Sequence, residues 1–464
     1  MRLASFLRRV AARVAALTAI LCLTDAAWAQ LGVVGGVYVD PNGMLRESSS
    51  LSADDLRARL TGSATPADPR SGVATASPLR KISLRRLEQE VAALHQARDP
   101  LPEEVRYLAG LSAIRYVLFY PENRDVVLAG PAEGWQQLPS GDVVGRKSSR
   151  PALQLDDLVT ALRYAFSEQP EGSFLGCSIE PTEQGLKTHA AFVRRLAGMD
   201  GSQAPQVIAG MEQAMGPQDI HVYGITPSSR FALEMIAADY RLKRIALAHD
   251  PAPARNLPSY LDLAERTLTG GPQRQHRWWF VGHFDAIRHT ADRLAFEFEG
   301  NALRVDTAPS GKGSKPDRDA PKPSRAAKQF AELATKAIPE LAAKIPSIAQ
   351  LQNLVSLSVT AVLMQQQADA APNDENTGAW RPVHFLDSAK CPSERFESPR
   401  QTPALANVRF VKNQYWLFSI SGGVEIDPQS IAAGDHLKPA SGSKLAESRS
   451  GSAAPPQNAR WWWD

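Results

Sequence analysis

Two hydrophobic periods alternate along this chain and limit what it can become. From Ser83, Leu84, Leu87, Val91 and Leu94 recur every three or four positions, the stripe of an amphipathic helix with Ser83 as its N-cap. "PEEVRYLAGL" predicts a short helix, "IRYVLFY" (114–120) a buried strand, and "DVVLAG" its partner after a turn at 121–124. Leu155, Leu158, Val159, Leu162 and Phe166 make a second helical stripe behind Asp156 and Asp157. "SFLGCSI" predicts a strand, Pro181 opens a helix reaching Leu196, and 219–225 reads as another strand. Thr226-Pro227-Ser228 then starts a helix with Phe231, Met235, Ala238, Leu242 and Ile245 on one face. After Pro258, "RWWFV", "AIRH" and "LAFEFEGNALRV" predict antiparallel strands, 324–367 predicts helix broken at Pro339 and Pro346, and "WRPVHFL", "NVRFV" and "QYWLFSISGGVEI" predict closing strands. The class is α+β, a mixed helix and sheet core with short antiparallel strands, disordered linkers and a disordered C-terminal tail.

The N-terminus carries an address. Arg2, Arg8, Arg9 and Arg13 precede the apolar run "VAALTAILCL", and Ala27-Trp28-Ala29 places small residues where a signal peptidase reads. Residues 1–29 are therefore expected to be a signal peptide cleaved between Ala29 and Gln30, exporting the protein to the periplasm or beyond. Ten apolar residues fall short of the roughly twenty that span a bilayer, so no transmembrane segment is expected after its removal. The full chain has 52 basic and 49 acidic side chains; removing four arginines and Asp25 leaves 48 of each, a balance that gives no argument for nucleic acid.

Composition divides the remainder. Residues 30–60 read as strand, turn and short helix; 61–80, 307–328 and 369–378 as linkers too poor in large apolar residues to offset ordering entropy. Between them lie a mixed core (81–306), a helical segment (329–368) and C-terminal strands (379–433), followed by the tail 434–464. That tail ends in Trp461, Trp462 and Trp463, which either dock back on the domain or serve as a peptide for an envelope or extracellular partner. The helical segment is expected to pack on the protein's own core.

The phrases "YLAGLSAIRYVLFYPENRDVVLAGPAEGW", "RPALQLDDLVTALRYAF", "GCSIEPTEQGL" and "MGPQDIHVYGITPSSRFALEMIAADYRLKRIAL" resemble a family of secreted planctomycete proteins known as domain of unknown function 1598. The resemblance spans Leu101 to Leu363. It implies a signal peptide and no established activity, cofactor or catalytic residue.

Chemistry must therefore be sought residue by residue. His276, His283, Asp285 and His289 are the metal candidates, because His283 and Asp285 two apart on a strand share a face and suit zinc; solvated strand residues are the plainer reading. Cys177 and His189 could form a thiol nucleophile and base across a strand-to-helix junction, although His189 shares a stripe with Leu186, Val193 and Leu196 and Cys177 reads as a small core residue. Cys177 and Cys391 could pair in an oxidising compartment. No Walker loop, G-x-G-x-x-G, G-x-S-x-G, H-E-x-x-H or C-x-x-C occurs, and no cofactor is implied. Trp278 and Trp279, adjacent on a strand, must face opposite sides. These features favour a non-catalytic structural or binding protein of the cell envelope; the rival is a hydrolase or transferase with an unfamiliar site.

One local likeness remains. "GGVYVDPNG" (35–43) and "GGVEIDP" (422–428) both read as strand and turn, either neighbours in one small sheet or separate pieces sharing turn chemistry.

Overall fold

The computed structural model describes residues 32–55, 72–170, 172–196, 199–266, 273–309, 324–370, 380–451 and 460–464. The segment expected to be a signal peptide, with Ala29 and Gln30, lies outside the described residues. The first half runs β1 (Val37–Val39), β2 (Leu45–Glu47), β3 (Ser77–Ser83), α1 (Leu84–Ala97), β4 (Tyr116–Tyr120), β5 (Asp125–Ala132), β6 (Trp135–Gln137) and β7 (Val143–Gly145). Then come α2 (Leu155–Phe166), β8 (Leu175–Pro181), α3 (Glu183–Val193), α4 (Ala204–Met215), β9 (Gln218–Tyr223), α5 (Arg230–Ala246) and α6 (Tyr260–Glu265). The rest comprises β10 (Gln273–Gly282), β11 (Ala286–His289), β12 (Ala295–Glu299), β13 (Leu303–Pro309), α7 (Arg325–Ala342) and α8 (Pro346–Ala370). It closes with β14 (Gln401–Thr402), β15 (Ala406–Val411), β16 (Gln414–Ile426), β17 (Leu437–Pro439), α9 (Lys444–Ser450) and β18 (Trp462–Trp463). The fold is α+β.

Two seven-stranded sheets carry it. The first has the order β13-β10-β16-β8-β9-β14, with β15 also on β16; the second is β17-β11-β12-β4-β5-β3-β18. Most pairs are antiparallel as expected, but β10 runs parallel to β16 and β11 to β17. The segment 379–433 does not stand apart from the core: β16 lies between β10 and β8 and completes the first sheet. Glu88 of α1 ties the same segment down, accepting from the amides of His384 (2.7 Å) and Phe385 (3.0 Å) and from Trp380 Nε1 (3.1 Å).

The longest described helix, α8, is buried on all sides from Ser347 to Met364, with hydrogen-bonded polar side chains such as Gln350 and Asn353 set among its apolar ones. It packs on α2, α5 and α7. It is the one described helix long and apolar enough to cross a membrane, and its apolar window is wholly buried inside the protein. The expected break at Pro346 is real, but Pro339 lies inside α7 and does not break it, the helix running on to Ala342.

The linker predicted at 61–80 is shorter than expected, since β3 starts at Ser77 and pairs with β5. Within the tail, the described residues 434–451 and 460–464 carry structure that composition did not suggest. Residues 437–439 add to β11, α9 lays Leu445 among Leu118, Tyr120, Val127 and Ala295, and Trp462 and Trp463 pair with Ile82 and Lys81. Apolar anchors set among Ser, Ala and Gly hold the described parts, 434–451 and 460–464, against sheet edges that otherwise expose unpaired amides.

The two glycine pairs do not share a sheet. Gly35-Gly36 leads into the β1–β2 hairpin, whereas Gly422-Gly423 sits within β16. They do share a neighbour. A Cβ on Gly35 would meet Ala237 at 2.6 Å, and one on Gly422 would meet Asp239 Oδ1 at 2.3 Å and Lys243 Cε at 2.7 Å, so both segments owe their glycines to close approach to α5.

Candidate functional site

The residues singled out from sequence do not converge. Cys177 is buried on β8 beneath α5, and its thiol pKa is raised well above the usual value, first by burial and then by the Asp239 carboxylate. His189 is buried on α3, with Nε2 lacking a partner and its pKa lowered by burial. A desolvated thiol and a desolvated imidazole in separate packing environments do not make a nucleophile and base. Cys391 is buried and free as well, so the structure contains no Cys177–Cys391 bond; its thiol is pushed up to about 11 by burial.

Of the metal candidates, the side chain of His276 lies outside the described residues. His283 and Asp285 fall in the connection between β10 and β11, not on a strand, with Nε2 and Oδ1 3.9 Å apart. His289 is turned to the Thr290 carbonyl through Nδ1 at 2.9 Å. Among the described residues, no group of three or more His, Cys, Asp or Glu is arranged to hold a metal ion. Trp278 and Trp279 do face opposite sides: Trp278 is buried and donates Nε1 to the Ala327 carbonyl at 3.3 Å, while Trp279 is half-buried under the Arg277 guanidinium, 5.4 Å from its ring.

The structure instead concentrates charge on α5. Ser229 caps the helix, its Oγ accepting from the Ala232 amide at 3.2 Å. Arg230 binds Asp157 Oδ2 and Glu234 Oε1, each at 2.5 Å, and Gln350 Nε2 of α8 donates to Asp157 Oδ2 at 2.8 Å. One turn further, Lys243 Nζ lies 3.2 Å from Asp239 Oδ2. Burial works against the charge on Arg230, yet Asp157 and Glu234 more than offset it and its pKa is raised. Glu234 is pushed up to about 8, by burial first, against the pull of Arg230 and with the like charges of Asp142 and Asp157. Sequence reading found the apolar stripe of this helix and passed over Arg230/Glu234 and Asp239/Lys243. Their i,i+4 spacing on the buried side was the available signal.

Beside the N-terminus of α5 lie two chambers that share Pro392 and Glu394 in their walls. The inner one, about 180 Å³, is walled by Glu103, Arg106, Tyr107, Asp156, Arg230 and Glu394. Arg106 Nη1 contacts Glu394 Oε1 at 2.5 Å, and the Glu394 amide donates to Asp156 Oδ2 at 3.3 Å. Burial, then the neighbouring carboxylates of Glu394 and Asp157, push Asp156 up to about 7.

The outer chamber, about 460 Å³, is of different character, with Thr160, Tyr164, Thr226, Ser229 and Ser393 on its walls beside Arg163, Arg395 and one acid, Glu394, whose carboxylate is paired with Arg106. Arg163 is fixed by donating Nε to the Phe385 carbonyl (3.0 Å), Nη1 to Ser393 Oγ (3.1 Å) and Nη2 to the Cys391 carbonyl (2.5 Å), three neutral acceptors that leave its charge uncompensated by them. Arg395 is exposed, and the adjacent Phe396 amide is pinned to the Ser228 carbonyl at 2.9 Å. The wall thus joins the loop entering α5 to the segment 388–395.

Residues 177–260 match the family described as Protein of unknown function (DUF1598). That span runs from Cys177 on β8 through the first residue of α6, so it contains α5 and the loop feeding it, and it is narrower than the stretch that carried the resemblance. No curated protein and no solved structure matches the chain.

Proposed function

We propose that this chain is an exported, non-catalytic binding protein of the cell envelope that holds an anionic, polyhydroxylated small molecule in the outer chamber. One observation carries the reading: hydroxyls, two arginines and a helix N-terminus line one concave space, within the roughly 300–1,000 Å³ range of small-molecule sites. Hydroxyl side chains both donate to and accept from ligand hydroxyls. Arginines and the positive end of α5 favour a carboxylate or similar anion. An acidic sugar meets both demands.

The catalytic alternative moves to different residues from those the sequence suggested. Asp156, held near pKa 7 beside Glu394, has the protonation behaviour of a general acid, and this favours a hydrolase as the second reading. Asp156 lines the smaller chamber and is not on the wall of the hydroxyl-lined one, which supports binding over turnover.

Calorimetric titration of the chain lacking residues 1–29 with digalacturonic acid and with its neutral digalactose counterpart separates the readings. The acidic sugar is expected to bind, the neutral one more weakly, and Arg395→Ala to weaken the acidic sugar by about tenfold, the worth of one charge-assisted contact. Chromatography after prolonged incubation should recover the sugar intact. Cleavage abolished by Asp156→Asn would establish the hydrolase instead, and absence of binding to either sugar would remove the proposal.

A further inference from the structure

The second sheet ends, on the β3 side, in a slot filled by the chain's own last residues. Trp462 pairs with Ile82 and Trp463 with Lys81, and the Ser83 amide donates to the Trp461 carbonyl at 2.8 Å. All three tryptophans are less than a tenth exposed. Beneath them Arg80 is fully buried, its guanidinium 4.5 Å from the centre of the Trp462 ring.

Arg80 is built to remain in place without the tail. Its Nη1 donates to the carbonyls of Val73 (2.7 Å) and Ala109 (2.8 Å), and Nη2 to that of Thr75 (2.9 Å). None of these acceptors belongs to the tail, and all are neutral. The carboxylate comes from Asp464 alone among its described contacts, with Oδ1 2.8 Å from Nε and Oδ2 3.1 Å from Nη2, a bidentate pair. With the tail gone, the slot would present an unpaired sheet edge, an aromatic-sized hollow and a buried cation lacking its anion. Each of these specifies the same occupant, an extended segment of aromatic residues ending in an acid.

We propose that this slot is a recognition site for the Trp-Trp-Asp segment as such, and that the segment of a second copy of this chain can fill it. The site then links copies by strand exchange, using contacts already made within one chain.

Two full-length variants test this by complementation. Asp464→Ala keeps an intact slot and lacks the anion; Arg80→Met keeps an intact tail and lacks the cation. Mixed, they are expected to form a species containing one of each, visible by native mass spectrometry and absent from either alone. If Arg80→Met does not fold, the synthetic peptide Arg-Trp-Trp-Trp-Asp, corresponding to residues 460–464, is added to the Asp464→Ala chain. It should bind, and the same peptide ending in alanine should bind about tenfold or more weakly, as expected for loss of a charged hydrogen-bonded pair. Separate species in the mixture, or a peptide that fails to bind or binds equally well without its aspartate, would overturn the proposal.

Discussion

Replacing Lys243 by methionine is expected to lower stability by about 3–5 kcal/mol, the cost of leaving a buried partner charge uncompensated. Lys243 and Asp239 are both almost completely buried and lie 3.2 Å apart under Gly422 of β16. Burial lowers the Lys243 pKa while Asp239 opposes it, and burial raises that of Asp239 while Lys243 opposes it. Each charge is thus held by the other. The double variant Asp239→Asn/Lys243→Met removes both charges at similar volume and should recover most of the loss. Urea denaturation followed by tryptophan fluorescence measures both; a Lys243→Met protein as stable as its parent would show that the pair is not the strut between α5 and the sheet.

Stability should also fall as the solution is made alkaline, through the acids around Arg230. Asp156 and Glu234 are held in the folded state near 7 and 8, far above the unfolded values of 3.8 and 4.5. Between these limits the folded state binds protons that the unfolded chain has released, so stability is lost as pH rises through the folded values. From pH 6.5 to 8.5 the two groups together should remove about 2–3 kcal/mol. The histidines with lowered pKa do not cancel this, because His189, His283 and His384 are all lowered from 6.5, by burial first, and act below that pH. Asp156→Asn should flatten the decline and leave the protein more stable than its parent at pH 8.5. Thermal melts across this range that are level, or that rise with pH, would contradict the assignment.

Both effects arise from residues whose partners are distant in sequence, which explains what could be read from the chain and what could not. Many local signals held: Ser83 does cap α1, Tyr116–Tyr120 does pair with β5, and the stripe from Phe231 to Ile245 does face the core, whereas "WRPVHFL", read as a strand, holds a helical turn at Val383–Leu386. Pairing between remote strands left no local mark. β16 lies between β10 and β8 because its edges match theirs, a property of the assembled sheet. The tail misled for a related reason, since its composition is that of a linker and its order comes from two sheet edges contributed by residues 77–83 and 286–289. The chambers were least legible. Arg106, Asp156, Arg230 and Glu394 come from four separated segments, and each alone is an ordinary charged residue.

A third cavity, about 500 Å³, is lined by Glu180, His221, Arg277 and Ser421 of the first sheet and serves as an internal control. Hydrogen–deuterium exchange of the chain lacking residues 1–29, with and without saturating digalacturonic acid, compares the two places in one measurement. Binding in the outer chamber predicts slowed exchange across residues 224–232 and 388–396, with 218–223 and 419–421 unchanged. Slowing confined to the third cavity, or no slowing anywhere, would contradict it.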